Sequence, residues 1–129
     1  MSPERFSSGG AFEERIGYSR VVRAGELVFV SGCSALAEEG YVVGGASVYA
    51  QAREALERLE AALAQARVTL ADVVQTRIYV TEVERWEEVA RAHREVFAEV
   101  RPAAAMVAVA ALIDPRLLVE IEAVAVAPG

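Results

Sequence analysis

Hydrophobic and polar positions follow two periods along this chain, and the switches between them outline a fold. Val48, Ala52, Ala55, Leu56, Leu59, Ala62, Leu63 and Ala66 recur at three- and four-residue steps, while Arg53, Glu54, Glu57, Arg58 and Glu60 take much of the remaining surface. That is the periodicity of an amphipathic helix, with Ser47 placed to cap its first turn. A second helix is predicted from about Arg85 to Glu99, with Trp86, Val89, Val96, Phe97 and Val100 along one side and Pro102 preventing its continuation.

The shorter apolar runs read as strands. Tyr18–Arg23 and Leu27–Gly32 flank the Ala24-Gly25-Glu26 turn as a hairpin. A brief strand at Tyr41-Val42-Val43 leads into Gly44-Gly45, Thr69–Asp72 forms a capped turn, and Val73–Val80 is a further strand. Two more strands, Ala104–Leu112 and Leu117–Val126, are joined by a turn at Asp114-Pro115, and the residues before Gly17 read as polar and irregular. The predicted order is β-β-β-α-β-α-β-β. Because both helices are amphipathic on one side only, they pack on one face of a mixed sheet, giving a two-layer α+β domain over residues 1–129.

The other sheet face carries the functional question. In the last strand Leu117, Val119, Ile121, Ala123 and Ala125 suit the helices, while Leu118, Glu120, Glu122, Val124 and Val126 face the other way. That second face is half apolar and half acidic, and association with further copies of the chain is the expected cover for it. In VVQTRIYV, Val74, Thr76, Ile78 and Val80 share one face and Gln75, Arg77 and Tyr79 the other.

Composition narrows the chemistry. The chain has 129 residues, 54% of them hydrophobic and 25% charged, which fits one compact domain. No apolar run is long enough to span a bilayer and MSPERFSSGG lacks the apolar core of a secretory signal, so a cytoplasmic location and no membrane partner are expected. A formal charge of −6 argues against a nucleic-acid partner. The single cysteine, Cys33, lacks the Cys/His company of a zinc site, and no metal is expected. All 13 basic residues are arginine and there is no asparagine, so a Schiff-base lysine, a pyridoxal-phosphate anchor and a Cys-His-Asn triad are excluded.

Several segments in order, GYSRVVRAGELVFVSG (17–32), VVGG (42–45), ADVVQTRIYVT (71–81), RPAAAMV (101–107) and LVEIEAVAV (118–126), resemble the RidA (YjgF-like) family of reactive-intermediate deaminases. The resemblance implies a chorismate-mutase-like fold assembled as a homotrimer, with ligand clefts at the subunit interfaces. It also implies cofactor-free hydrolysis of imines and enamines to a 2-keto acid and ammonia. Residue by residue, Tyr18 and Glu120 match the catalytic tyrosine and glutamate, and Gly32 the glycine that ends the Ser-Gly strand. Cys33 stands where many members have glutamine. Ala104, Ala105 and Met106 form the cleft wall, with Ala104 where the family's carboxylate-binding arginine stands and Ala90 in place of a helix asparagine.

A bidentate arginine is the side chain best shaped to grip a carboxylate, and its loss removes charge-assisted hydrogen bonds of about 1.5–3 kcal/mol each. The expectation is therefore an altered substrate range. Arg77 either takes over as the anion-binding residue or forms an ion pair with Glu120 or Glu122, the simpler reading. His93 and Trp86 read as packing residues and Cys33 as cleft lining. Two other readings stay open: a non-catalytic, metabolite-binding or chaperone-like regulatory trimer, and the endoribonuclease or translation-initiation inhibitor of older family descriptions.

Overall fold

The computed structural model describes residues 2–129. Six strands form one mixed sheet in the order β1-β2-β3-β6-β4-β5: β1 (Glu4–Phe6), β2 (Val21–Ala24), β3 (Leu27–Cys33), β4 (Val73–Val80), β5 (Ala103–Ala108) and β6 (Val119–Val126). Two long helices, α2 (Val48–Gln65) and α3 (Trp86–Phe97), supply the second layer, and a short helix α1 (Ala11–Ile16) precedes β2. All pairings are antiparallel except β4 with β5, which run parallel because α3 crosses over between them. The two-layer α+β class is as the sequence predicts. No helix among the described residues is long and apolar enough to cross a membrane.

Both periodicities hold at the core. Leu56, Leu59 and Leu63 of α2 and Val89, Ala92 and Phe97 of α3 are buried against Val28, Val30, Ile78, Val80, Ile121, Ala123 and Ala125 of the sheet. Ser47 caps α2 by accepting the Ala50 N–H at 3.1 Å. Gln51 is the fully buried polar residue of α2, and both the nitrogen and the oxygen of its amide are engaged. It donates to the carbonyls of Gly45 at 2.7 Å and Arg116 at 3.0 Å and accepts the Leu118 N–H at 2.9 Å. One side chain thus ties the start of α2 to the glycine turn before it and to the entry of β6.

Four local readings are corrected. The residues before Gly17 are not irregular: β1 pairs with β2 through Arg5↔Val22, and α1 follows. Its order comes from a polar side chain rather than from apolar periodicity. Glu13 accepts N–H bonds from Ser8 and Gly10 at 3.2 Å, and Gly17 ends the helix at φ 91. The Tyr41–Val43 strand is reduced to a single bridge, Leu36↔Val42, between Gly40 at φ 95 and Gly44 at φ 87. The strand predicted over Ala104–Leu112 stops at Ala108, because its parallel partner β4 ends at Val80 and Val109 makes the last bond, to the Val80 carbonyl at 2.8 Å. Val74 is exposed, since an irregularity between Val73 and Gln75 turns Val73 inward instead.

The face of the sheet away from α2 and α3 is open. Leu27 and Phe29 of β3 and Val107 of β5 are 43–47% exposed there, next to the half-buried Val124 and Val126 of β6. β6 lies at the centre, between β3 and β4, so its outward residues Glu120 and Glu122 occupy the middle of that face.

Replacing Gln51 by leucine keeps the volume of the side chain but removes the partner of two carbonyls and one N–H at a part-buried junction. A loss of about 2–4 kcal/mol of unfolding free energy is expected from urea titration. A loss below about 0.5 kcal/mol would show that the three hydrogen bonds contribute nothing net.

Candidate functional site

The end of β3 is where this sheet departs from regular pairing. The register with β6 shifts between Val30 and Cys33, and within that irregularity lies Gly32. A Cβ at Gly32 would stand 2.7 Å from Cδ and 3.0 Å from Cγ of Glu120. Glycine is required here by close approach, not by backbone strain, and it lets the Glu120 carboxyl lie directly on the β3 main chain. No hydrogen-bond or ion-pair partner of the Glu120 carboxyl is found among the described residues. Since no buried side-chain oxygen among those residues lacks a partner, its oxygens are open to the adjoining cleft.

That cleft has a volume of 1440 Å³ and is lined by Tyr18, Arg20, Gly32, Cys33, Arg58 and Glu120, among others. Arg20 organises its floor. Its Nη1 donates to the Gly32 carbonyl at 2.6 Å and the Ser31 carbonyl at 3.3 Å, and its Nη2 donates to the Tyr18 hydroxyl at 3.2 Å. On the other side its Nε lies 3.9 Å from the Glu13 carboxylate. Glu13 is itself buried at 5% exposure. Burial works to raise its pKa, but hydrogen bonds from the side chains of Ser8 and Ser7 and the N–H groups of Ser8 and Gly10 outweigh it, leaving the pKa below the ordinary value. Glu13 is thus an anion that anchors the cation of the cleft.

The titrating groups in the cleft are tuned apart. Burial raises the Glu120 carboxyl, the Arg20 charge opposes that rise, and the neighbouring Glu122 adds to it. Burial pushes the Cys33 thiol up to about 11 against the opposing Arg20, so at neutral pH it is a protonated, unreactive thiol that lines the cleft. Glu122 accepts a short hydrogen bond from the Tyr79 hydroxyl.

The residues singled out in the sequence fall on separate surfaces of the protomer. Tyr18, Gly32, Cys33 and Glu120 share the cleft. Ala104, Ala105 and Met106 line a different hollow of 560 Å³ beneath α3, with Ile78, Trp86 and His93. His93 bonds Thr76 Oγ1 at 2.9 Å and packs on Phe97, and burial lowers its pKa, which favours the neutral ring. Arg77 lines neither space. It lies on the open face in register with Glu122 and Ala105, yet Glu122 is taken by Tyr79, and Arg77 makes no ion pair among the described residues. No group of three or more His, Cys, Asp or Glu residues is placed to hold a metal ion among them.

Arg20 and Glu13 were not legible as site residues. Arg20 sits among strand-like residues in YSRVVR, and Glu13 belongs to the segment that reads as irregular. The one sequence signal available was the proximity of Arg20 to Tyr18, two positions apart.

Comparison with known proteins gives consistent relatives. The family model described as endoribonuclease L-PSP matches residues 9–127. A YjgF-family protein of Mycobacterium tuberculosis has a crystal structure that superposes with a TM-score of 0.88 at 51% identity, covering 97% of this chain and 99% of that one. The 3-aminoacrylate deaminase RutC of Acinetobacter baylyi is 33% identical over 108 residues, 84% of this chain and 85% of the relative. A RutC family protein of Pyrococcus horikoshii is 32% identical over 109 residues, again 84% and 85%.

A carboxyl whose pKa is higher in the folded than in the unfolded chain binds its proton more tightly on folding. Its contribution is therefore favourable below the unfolded value and is lost as pH rises through the folded value. Glu120, with its raised pKa, is such a group. Thermal melts followed by circular dichroism should show Glu120→Gln more stable than the wild type at about pH 8, with the gain vanishing near pH 4. A variant that is less stable at the higher pH would contradict the unpaired carboxylate described here.

Proposed function

The chain belongs to the RidA (YjgF-like) family, the family whose model is described as endoribonuclease L-PSP, and from that premise we propose that it hydrolyses imines or enamines to carbonyl compounds and ammonia without a cofactor. The observation that carries this reading is the partnerless Glu120 carboxyl, seated on Gly32 with a raised pKa and facing a water-accessible cleft. A carboxylate moved toward neutral pH is suited to exchanging protons with water and nitrogen. In this reading Glu120 takes a proton as a water oxygen bonds to the imine carbon, and the C=N double bond becomes a single bond. It then returns that proton to the nitrogen, and it takes the hydroxyl proton of the resulting carbinolamine as the C–N bond breaks, the C=O forms and ammonia leaves. Because Arg20 donates to the Tyr18 oxygen, the hydroxyl proton of Tyr18 is free to point at the substrate nitrogen.

The working unit is a homotrimer with clefts between subunits, in the cytoplasm. Two observations support it: the exposed Phe29, Leu27 and Val107 on the open sheet face, and the separation of the Glu120 cleft from the Ala104–Met106 hollow within one protomer. In the proposed trimer the hollow of one subunit closes over the cleft of the next, and Ala104, Ala105 and Met106 complete the ligand wall. The methyl group of Ala104, where the family pattern has arginine, supports a substrate range different from that of 2-aminoacrylate deaminases. A non-catalytic trimer that binds a metabolite is the second reading, and Ala104 is the residue that favours it. The net charge of −6 counts against RNA as a substrate.

With imines generated in place by an amine or amino-acid oxidase, the protein should speed ammonia release, and Glu120→Gln should lower the rate at least about 100-fold. Ala104→Arg should raise the rate on carboxylate-bearing imino acids relative to the wild type. Sedimentation should give three times the 13.8 kDa chain mass. No acceleration with any imine would leave the metabolite-binding reading, and a monomer at micromolar concentration would remove the interface site.

A further inference from the structure

The charges around the Glu120 cleft are unevenly committed. Three guanidinium groups line it, and each already serves the chain's own carboxylates and carbonyls. Arg20 is held between Glu13, Tyr18 and the carbonyls of Ser31 and Gly32. Arg58 donates to Glu54 at 2.9 Å and to the Leu36 carbonyl. Arg116 donates to Asp114 at 2.8 and 3.0 Å and to the Gly40 carbonyl at 2.7 Å. The pairing is strong enough to hold the Asp114 carboxyl down at about 2. Glu120, by contrast, has no partner among the described residues, so the charge in the cleft left for a ligand to meet is negative.

Size and rim chemistry are independent of charge and lead to the same class of ligand. The cleft of the protomer, at 1440 Å³, is a broad groove with room for far more than a three-carbon ligand. Its lining also includes exposed apolar side chains: Ile16 at 61%, Tyr41 at 56% and Ile113 at 56% exposure. A three-carbon imino acid would leave such a rim unused and would bring its carboxylate toward Glu120.

We infer that this cleft selects imines that lack a carboxylate, neutral or positively charged at nitrogen, and that carry a bulky apolar substituent lodged against the Ile16, Tyr41 and Ile113 rim. The inference rests on the proposal that the Glu120 cleft is the ligand site, and it concerns which ligands enter rather than whether they turn over. Primary-amine oxidation is the class of reaction that supplies such imines, and the aldehyde and ammonia are the products of their hydrolysis.

Three probes of one skeleton separate the charge states: 2-phenylethylamine, 2-phenylethanol and phenylacetate, titrated into the wild-type protein and followed by NMR. The amine should bind more tightly than the alcohol, both should bind at least about tenfold more tightly than phenylacetate, and Glu120→Gln should abolish the advantage of the amine over the alcohol. Tyr41→Ser should weaken the amine and the alcohol alike. Equal or tighter binding of phenylacetate overturns the inference, as does the absence of binding by any probe at millimolar concentration. Ammonia release is then compared for the imines made by oxidising 2-phenylethylamine and phenylalanine. Preferred binding of the amine without turnover of either imine would reject the catalytic reading and leave the selectivity standing. Turnover confined to the phenylalanine-derived imino acid would reject the selectivity and leave the catalytic reading standing.

Discussion

The site depends on the contact between the Glu120 carboxyl and the bare main chain at Gly32. A methyl group at that position would collide with Cγ and Cδ of Glu120, so the glutamate keeps its place only because β3 carries no side chain there. Two things follow from so close a packing. The carboxyl loses water on one side, which raises its pKa, and it keeps open oxygens on the other, toward the cleft. Arg20 donates to the carbonyl of the same glycine, so one cation both fixes the strand end and moderates the charge of the acid.

The fold serves this contact by placing β6 at the centre of the sheet. Val119, Ile121, Ala123 and Ala125 are buried beneath the helices, which fixes the register of the strand and sends Glu120 and Glu122 to the opposite face. A slip of one residue would bury two carboxylates and expose four apolar side chains. Gln51 adds a polar lock at the entry of the same strand, through the Leu118 N–H. The irregular end of β3 is tolerated because its polar groups have partners of their own, with the Ser31 hydroxyl donating to the Ser19 carbonyl at 2.6 Å.

What the sequence made legible followed from periodicity. The alternation of LVEIEAVAV separated the two faces of β6, and the helical stripe of α2 was readable residue by residue because burial there is simple and apolar. The failures share a different cause. Helix α1 is held by Glu13, whose partners Ser8 and Gly10 lie outside any apolar pattern, so a hydrophobic reading misses it. The end of β5 is set by where its partner β4 stops, a tertiary fact that the continuing apolar run through Leu112 conceals. In the same way Arg20 acts through main-chain carbonyls brought up by the hairpin, and these have no identity in a sequence. Tyr18, Gly32 and Glu120, which share the cleft, are singled out by a family resemblance and not by spacing, which alone does not place them together.

The central claim is that two separate surfaces of the protomer, the Glu120 cleft and the alanine-lined hollow of β5, form one site when subunits associate. A crystal structure of the assembly soaked with phenylacetone, a neutral carbonyl product analogue, tests it most directly. The account predicts a trimer in which ligand density touches Glu120 and Tyr18 of one subunit and Ala104 and Met106 of its neighbour. Ligand bound within a single protomer, or the two surfaces facing away from each other in the assembly, would contradict it.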